Sequence, residues 1–93
     1  MSEKEFMRQV LQLLRLCGFL CFHTYDSRRS QAGFPDLVCV KGRRLLFIEL
    51  KSAKGKVRPE QQHWLDALRA AGQEVYLWRP GDWADIIPVL RAS

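Results

Sequence analysis

Gly33-Phe34-Pro35-Asp36-Leu37-Val38-Cys39-Val40-Lys41-Gly42-Arg43-Arg44-Leu45-Leu46-Phe47-Ile48-Glu49-Leu50-Lys51 is the stretch that decides how this chain folds. Pro35 pre-sets an extended entry. Asp36-Leu37-Val38-Cys39-Val40 reads as a strand, Lys41-Gly42-Arg43-Arg44 as a turn, and Leu45 to Lys51 as the returning strand of a hairpin. Leu45-Leu46-Phe47-Ile48 is an unbroken apolar run, as expected of an interior strand. Side chains alternate along a strand, so Glu49 and Lys51 share one sheet face while Leu50 enters the opposite layer. With Asp36 at the head of the first strand, two carboxylates and an ammonium gather on one surface. The acids repel each other unless a cation and a polyanion use them, and Mg²⁺ with a phosphodiester fits that requirement.

Outward from the hairpin, residues 3 to 17 read as a helix. Phe6, Val10, Leu13, Leu14 and Cys17 recur at helical spacing, and Gly18 suits the position just past the end. Met7, Leu11 and Leu16 widen the apolar face. We read that width as one side for the core and another for a second subunit, hence a homodimer. Phe19 to Tyr25 is a strand and Asp26 to Gly33 a polar loop. Beyond Lys51, Ser52 to Arg58 is a basic loop. Pro59 opens a helix that Gly72 ends, with Trp64, Leu65, Leu68 and Ala71 on one face. Glu74 to Trp78 is a last strand. Asp82 is placed as an N-cap, and Pro88 makes Trp83 to Leu90 a short or kinked helix. The order is αβββαβ(α): an α/β chain whose hairpin and strand–helix–strand unit build a mixed β-sheet flanked by helices on both faces.

Ninety-three residues suffice for one core, and residues 1–93 are read as a single domain. An apolar fraction of 47% and a charged fraction of 27% exclude a disordered chain. No apolar run approaches the roughly 20 residues of a bilayer span, and Ser2-Glu3-Lys4-Glu5 has no character of a secretory leader. A cytoplasmic protein without membrane contact is expected. Cys17, Cys21 and Cys39 show no disulfide framework, and Cys17 and Cys21 beside His23 are read as core, not as a zinc site. His23 is read as structural, His63 as solvent-facing, and Trp78 and Trp83 as packing residues. A net charge of +5 favours acidic partners. Arg28 and Arg29 precede the Asp36 segment, Lys41, Arg43 and Arg44 surround the turn, and Lys54, Lys56 and Arg58 follow Lys51. The cations bracket the acids in sequence, so Arg28, Arg29, Lys54 and Lys56 are expected to touch a nucleic-acid backbone.

Asp36, then Glu49-Leu50-Lys51 on the partner strand, resembles the PD-(D/E)XK nuclease pattern, with Pro35-Asp36 as its literal start. Gly33-Phe34-Pro35-Asp36-Leu37-Val38, Glu49-Leu50-Lys51, and Gln61 followed by Trp64 resemble the VRR-NUC branch, in its stand-alone phage and bacterial form. The resemblance runs from Glu3 to Leu90. It implies a restriction-endonuclease-like core and a Mg²⁺- or Mn²⁺-dependent DNA endonuclease of a bacterial cell or phage-infected host. It implies Asp36 and Glu49 as metal-binding acids, the Leu50 carbonyl as a further ligand, Lys51 as the catalytic lysine and Gln61 as the helix glutamine. A first-helix acid joins the metal; Glu3 is preferred, with Glu5 the alternative. In that scheme Lys51 orients or deprotonates water, or neutralises charge on phosphorus, and Gln61 fixes the water or Lys51. Branched DNA, including four-way (Holliday) junctions, is the implied substrate of a two-fold dimer. Two rival readings are a non-catalytic nucleic-acid-binding module of the same fold and an α/β protein whose partner is another protein.

Overall fold

The computed structural model describes residues 1–24 and 31–92. Within them the chain runs α1 (Glu3–Leu16), β1 (Leu20–His23), β2 (Leu37–Lys41), β3 (Arg44–Leu50), α2 (Pro59–Ala70), β4 (Glu74–Trp78), a 3-10 turn (Pro80–Asp82) and α3 (Trp83–Arg91). The strands lie side by side in sequence order. β1, β2 and β3 are antiparallel, while the crossover through α2 brings β4 in parallel to β3.

Leu37, Cys39, Leu46, Ile48, Leu50 and Trp78 join Phe6, Val10 and Leu14 of α1 and Ile86 and Leu90 of α3 in one buried cluster. Each such side chain contributes about 1.5–3 kcal/mol when fully buried. On the other sheet face, Phe34 stands edge-on between Phe47 and Trp64, with ring centroids 6.1 and 5.0 Å away. This contact seats α2. Helices therefore flank both faces, as expected, with α1 and α3 on one side and α2 on the other.

The helix ends follow from their local chemistry. The Ser2 hydroxyl accepts the Glu5 N–H at 3.1 Å, satisfying one donor of the first turn. At the other end Gly18 takes φ +91°, and the N–H groups of Gly18 and Phe19 close on the Arg15 and Leu14 carbonyls at 3.0 Å each. The broad apolar face of α1 is used inside the subunit: Met7, Leu11 and Leu13 pack on its own core, and Leu16 stays exposed. The apolar width of α1 is thus no argument for a second subunit.

Four local expectations change. Lys41 and Arg44 belong to paired strands, leaving Gly42-Arg43 as a two-residue loop. That loop lies a strand length from Glu49, on the order of 15 Å, so these cations do not bracket the acids. Both sit over the Phe19 ring, and Arg44 pairs with Glu74 at 2.6 Å and donates to the Val89 and Ala92 carbonyls at 3.0 Å each. Arg44 thereby fastens β3 to β4 and to the end of α3. Asp82 stands at the N-cap position of α3 as expected, but its carboxylate accepts the Arg79 N–H at 2.8 Å, closing the 3-10 turn, and makes no side-chain cap on the helix. Ala71 is the exposed C-cap of α2, not part of its buried face. α3 is short, as expected, running nine residues with Pro88 inside it. No helix among the described residues is long and apolar enough to cross a membrane.

Candidate active site

The hairpin register pairs Leu37 with Ile48, and one further step sets Asp36 opposite Glu49. Two strands hold Asp36. The Leu50 N–H donates to Asp36 Oδ2 at 2.8 Å. From the end of β1, the Thr24 N–H donates to the Asp36 carbonyl at 2.8 Å, and the Thr24 hydroxyl lies 2.6 Å from the Pro35 carbonyl oxygen. The carboxylate and its backbone are thus fixed independently.

Glu49 is 2% exposed. Its Oε2 accepts a hydrogen bond from Gln61 Nε2 at 3.0 Å and lies 3.6 Å from Lys51 Nζ. Its Oε1 is buried without a hydrogen-bond partner. Gln61 was expected on water or on Lys51 and is found on Glu49. The amide is oriented by the start of α2, because the Arg58 N–H donates to Gln61 Oε1 at 2.9 Å. A glutamine three residues past the helix cap commonly closes such a loop; here its free nitrogen reaches the acid. Lys51 lies just beyond β3, and its N–H extends the parallel ladder to the Trp78 carbonyl at 3.0 Å. Its side chain is largely buried on the face that carries Glu49.

Burial, and then the neighbouring charge of Asp36, push the Glu49 carboxyl up to about 8, against the opposing pull of Lys51. Asp36 is also raised, chiefly by burial, while the Leu50 N–H, the Lys51 charge and then Glu49 and His23 act the other way. Each carboxyl therefore holds its proton to a higher pH than an isolated acid would.

Two backbone contacts complete the site. Gly33 takes φ +95°, and a Cβ there would stand 2.5 Å from the Glu60 carbonyl oxygen and 2.9 Å from the Gln61 nitrogen. The segment leading into Asp36 therefore lies directly on the first turn of α2. Arg79 Nη1 donates to the Ser52 and Gly55 carbonyls at 2.7 and 2.6 Å. It braces the loop that packs on the Lys51 side chain and carries the exposed Lys54 and Lys56. Sequence reasoning missed Thr24 and Arg79. The signal for Arg79 is the parallel register: Leu50 pairs with Trp78, so the residue after β4 falls beside the loop after β3.

Glu3 and Glu5 are exposed in the first turn of α1. Among the described residues no three His, Cys, Asp or Glu side chains form a ligand cluster, so neither glutamate is brought to the pair. A hollow lined by Met1, Phe6, Gln9, Pro80 and Trp83 places that turn beside the chain leaving β4. Arg28 and Arg29 lie outside the described residues. His63 is exposed. The donor set at the centre is two carboxylates, one with a buried oxygen that lacks a partner. That set suits a hard divalent cation, which takes oxygen ligands and keeps several waters.

Solved structures share the architecture. Two, described as a VRR_NUC domain and a VRR_NUC domain protein, superpose with TM-score 0.76 at 22% and 21% identity, covering 94% and 98% of this chain and 94% and 86% of theirs. Hjc, a Holliday junction resolvase from the archaeal hyperthermophile Archaeoglobus fulgidus, superposes with TM-score 0.62 at 29% identity over 83% of this chain and 69% of its own. No curated protein gives a significant match. The fold is restriction-endonuclease-like. The VRR-NUC domain profile matches residues 2–80, and the chain belongs to that nuclease family.

Proposed function

We propose that this protein is a metal-dependent DNA endonuclease, a PD-(D/E)XK enzyme that hydrolyses phosphodiesters at Asp36, Glu49 and Lys51. The buried, partnerless Glu49 Oε1 carries the reading. A buried carboxylate oxygen left without a donor costs about 1–3 kcal/mol or more, and a bound cation removes that cost. Mg²⁺ or Mn²⁺ would be held by Asp36, Glu49 and the Leu50 carbonyl. When bound, such an ion supplies Lewis-acid polarisation of the phosphate and acidifies water.

The chain's own groups do the rest. Asp36 is held in place by Leu50 and Thr24. Gln61 turns Glu49 toward the site and takes no part in proton transfer. Lys51 stands beside the pair, where its ammonium offsets charge building on phosphorus and orients the attacking water. Lys54 and Lys56, with Arg28 and Arg29, contact the DNA backbone. The finer reading is branched DNA cut by two copies of the chain; likeness to a protein titled a Holliday junction resolvase supports it.

Supercoiled plasmid, nicked duplex, flap and four-way junction, each incubated with Mg²⁺, Mn²⁺ or EDTA, test this. Cutting with either metal, none with EDTA, and preference for the junction are the expected results. Tight binding without metal-dependent cutting would instead establish the non-catalytic module. Replacing both Lys54 and Lys56 with Ala is expected to weaken DNA binding. It should also flatten the dependence of log K on log salt by roughly 0.9 for each phosphate no longer neutralised. Unchanged affinity in a salt titration would remove both lysines from the interface.

A further inference from the structure

Arg79 is the first residue after β4, and the parallel pairing of Leu50 with Trp78 brings it level with the chain leaving β3. There its Nη1 donates to two backbone carbonyls at once, Ser52 at 2.7 Å and Gly55 at 2.6 Å. These carbonyls bound a tight turn, since the Gly55 N–H also returns to the Ser52 carbonyl at 3.2 Å. A guanidinium nitrogen with two hydrogens in a fixed plane suits two oxygens that would otherwise repel each other. The arginine is itself anchored. Its backbone N–H donates to the Asp82 carboxylate at 2.8 Å, so the 3-10 turn fixes the backbone from which the guanidinium reaches across.

The closed turn lies on Lys51. A Cβ on Gly55 would stand 3.6 Å from Lys51 Cδ and 2.9 Å from Ser52 Oγ. Lys51 Nζ is 3.6 Å from Glu49 Oε2, too long a separation to lock the ammonium as a hydrogen bond would. A lysine stem is flexible, so packing along it must set where the ammonium stands. We propose that Arg79 is a positioning residue for the nuclease reaction: by tying Ser52 to Gly55 it keeps the loop against the Lys51 stem and holds the ammonium beside Glu49. The inference rests on the nuclease reading above and extends its machinery to the end of β4. The same turn carries the exposed Lys54, so loss of Arg79 also weakens DNA binding. Saturating DNA removes that share and leaves the effect on Lys51.

Two measurements on the full chain test the proposal. The first is lysine acetylation of the metal-free protein, read site by site by mass spectrometry. Lys51 is 9% exposed and should react slowly in wild type. Arg79→Ala should speed it several-fold while leaving the half-buried Lys41 of the distant hairpin unchanged. The second is single-turnover cleavage with Mg²⁺ at saturating DNA. Arg79→Ala is expected to cut about ten- to a hundredfold more slowly, the cost of a displacement near 1 Å at a reacting centre. Arg79→Lys keeps the charge without the planar fork and should fall between; it serves for both measurements if the alanine variant fails to fold. Arg69→Ala, at the far end of α2, should change neither readout. Unchanged Lys51 labelling, Lys51 and Lys41 rising together, or a wild-type rate at saturating DNA in the Arg79 variants would overturn the proposal. Selective unmasking of Lys51 together with a wild type that cuts no DNA would sink the nuclease reading while leaving Arg79 as the group that holds Lys51.

Discussion

Lys51→Ala and Glu49→Ala are each expected to lower metal-dependent cleavage by about a thousandfold or more, with the fold intact by circular dichroism. The two losses have different origins. Removing Glu49 deletes the buried carboxylate that supplies the partnerless oxygen and also frees Gln61 from its acceptor. Removing Lys51 takes the ammonium from beside the acids, where charge must be offset as the phosphate reacts. It also withdraws the positive charge that opposes protonation of Glu49. Lys51→Ala should therefore bind the cation more weakly at neutral pH as well as react more slowly. Raising pH should recover the binding and not the rate. Cleavage within tenfold of wild type in both variants would refute the site.

The second large effect concerns stability without metal. Glu49 has a folded-state value pushed up to about 8 from an ordinary 4.5. A carboxyl raised on folding stabilises fully below its unfolded value, and that contribution disappears as pH rises through the folded value. Metal-free wild type should thus lose roughly 2–4 kcal/mol between pH 5 and 9 from this group, on the order of 10 °C in Tm for a domain of this size. Glu49→Gln, which cannot ionise, should flatten the slope and melt higher than wild type at pH 9. Added Mg²⁺ should restore wild type at high pH and displace a proton, detectable by calorimetry in buffers of different ionisation enthalpy. A wild-type Tm that is flat or rises over this range would mean that Asp36 and Glu49 are not buried together.

The hairpin and its acid pair were legible because a short turn leaves little freedom of register. Once Gly42 is placed in the loop, Asp36 must face Glu49. Helix ends were legible because Gly18 and Gly72 stop helices for a local reason. The direction of Gln61 was not legible. Pro59 fixes where α2 starts, but only the tertiary contact shows that its third residue reaches Glu49. The turn cations were misjudged by sequence nearness: a hairpin loop is by construction a strand length from the ends of its own strands. The breadth of α1 was misjudged because its residues do not reveal that α3 lies alongside. Arg79 was invisible because its role depends on a parallel neighbour brought in by a crossover. Leu20 and Phe22 share one face of β1, and their alternation with Cys21 and His23 does not reveal that both stay exposed.

Gly33 adds no chemistry of its own, yet it governs whether the acid on the hairpin and the amide on the helix share one pocket. Backbone meets backbone there, and any β-carbon would lever the two apart while leaving each element well formed. The pocket's dimensions are thus set by an atom that is missing. A survey that deletes side chains will pass over this position; one that adds them will find it as intolerant as the charged residues themselves.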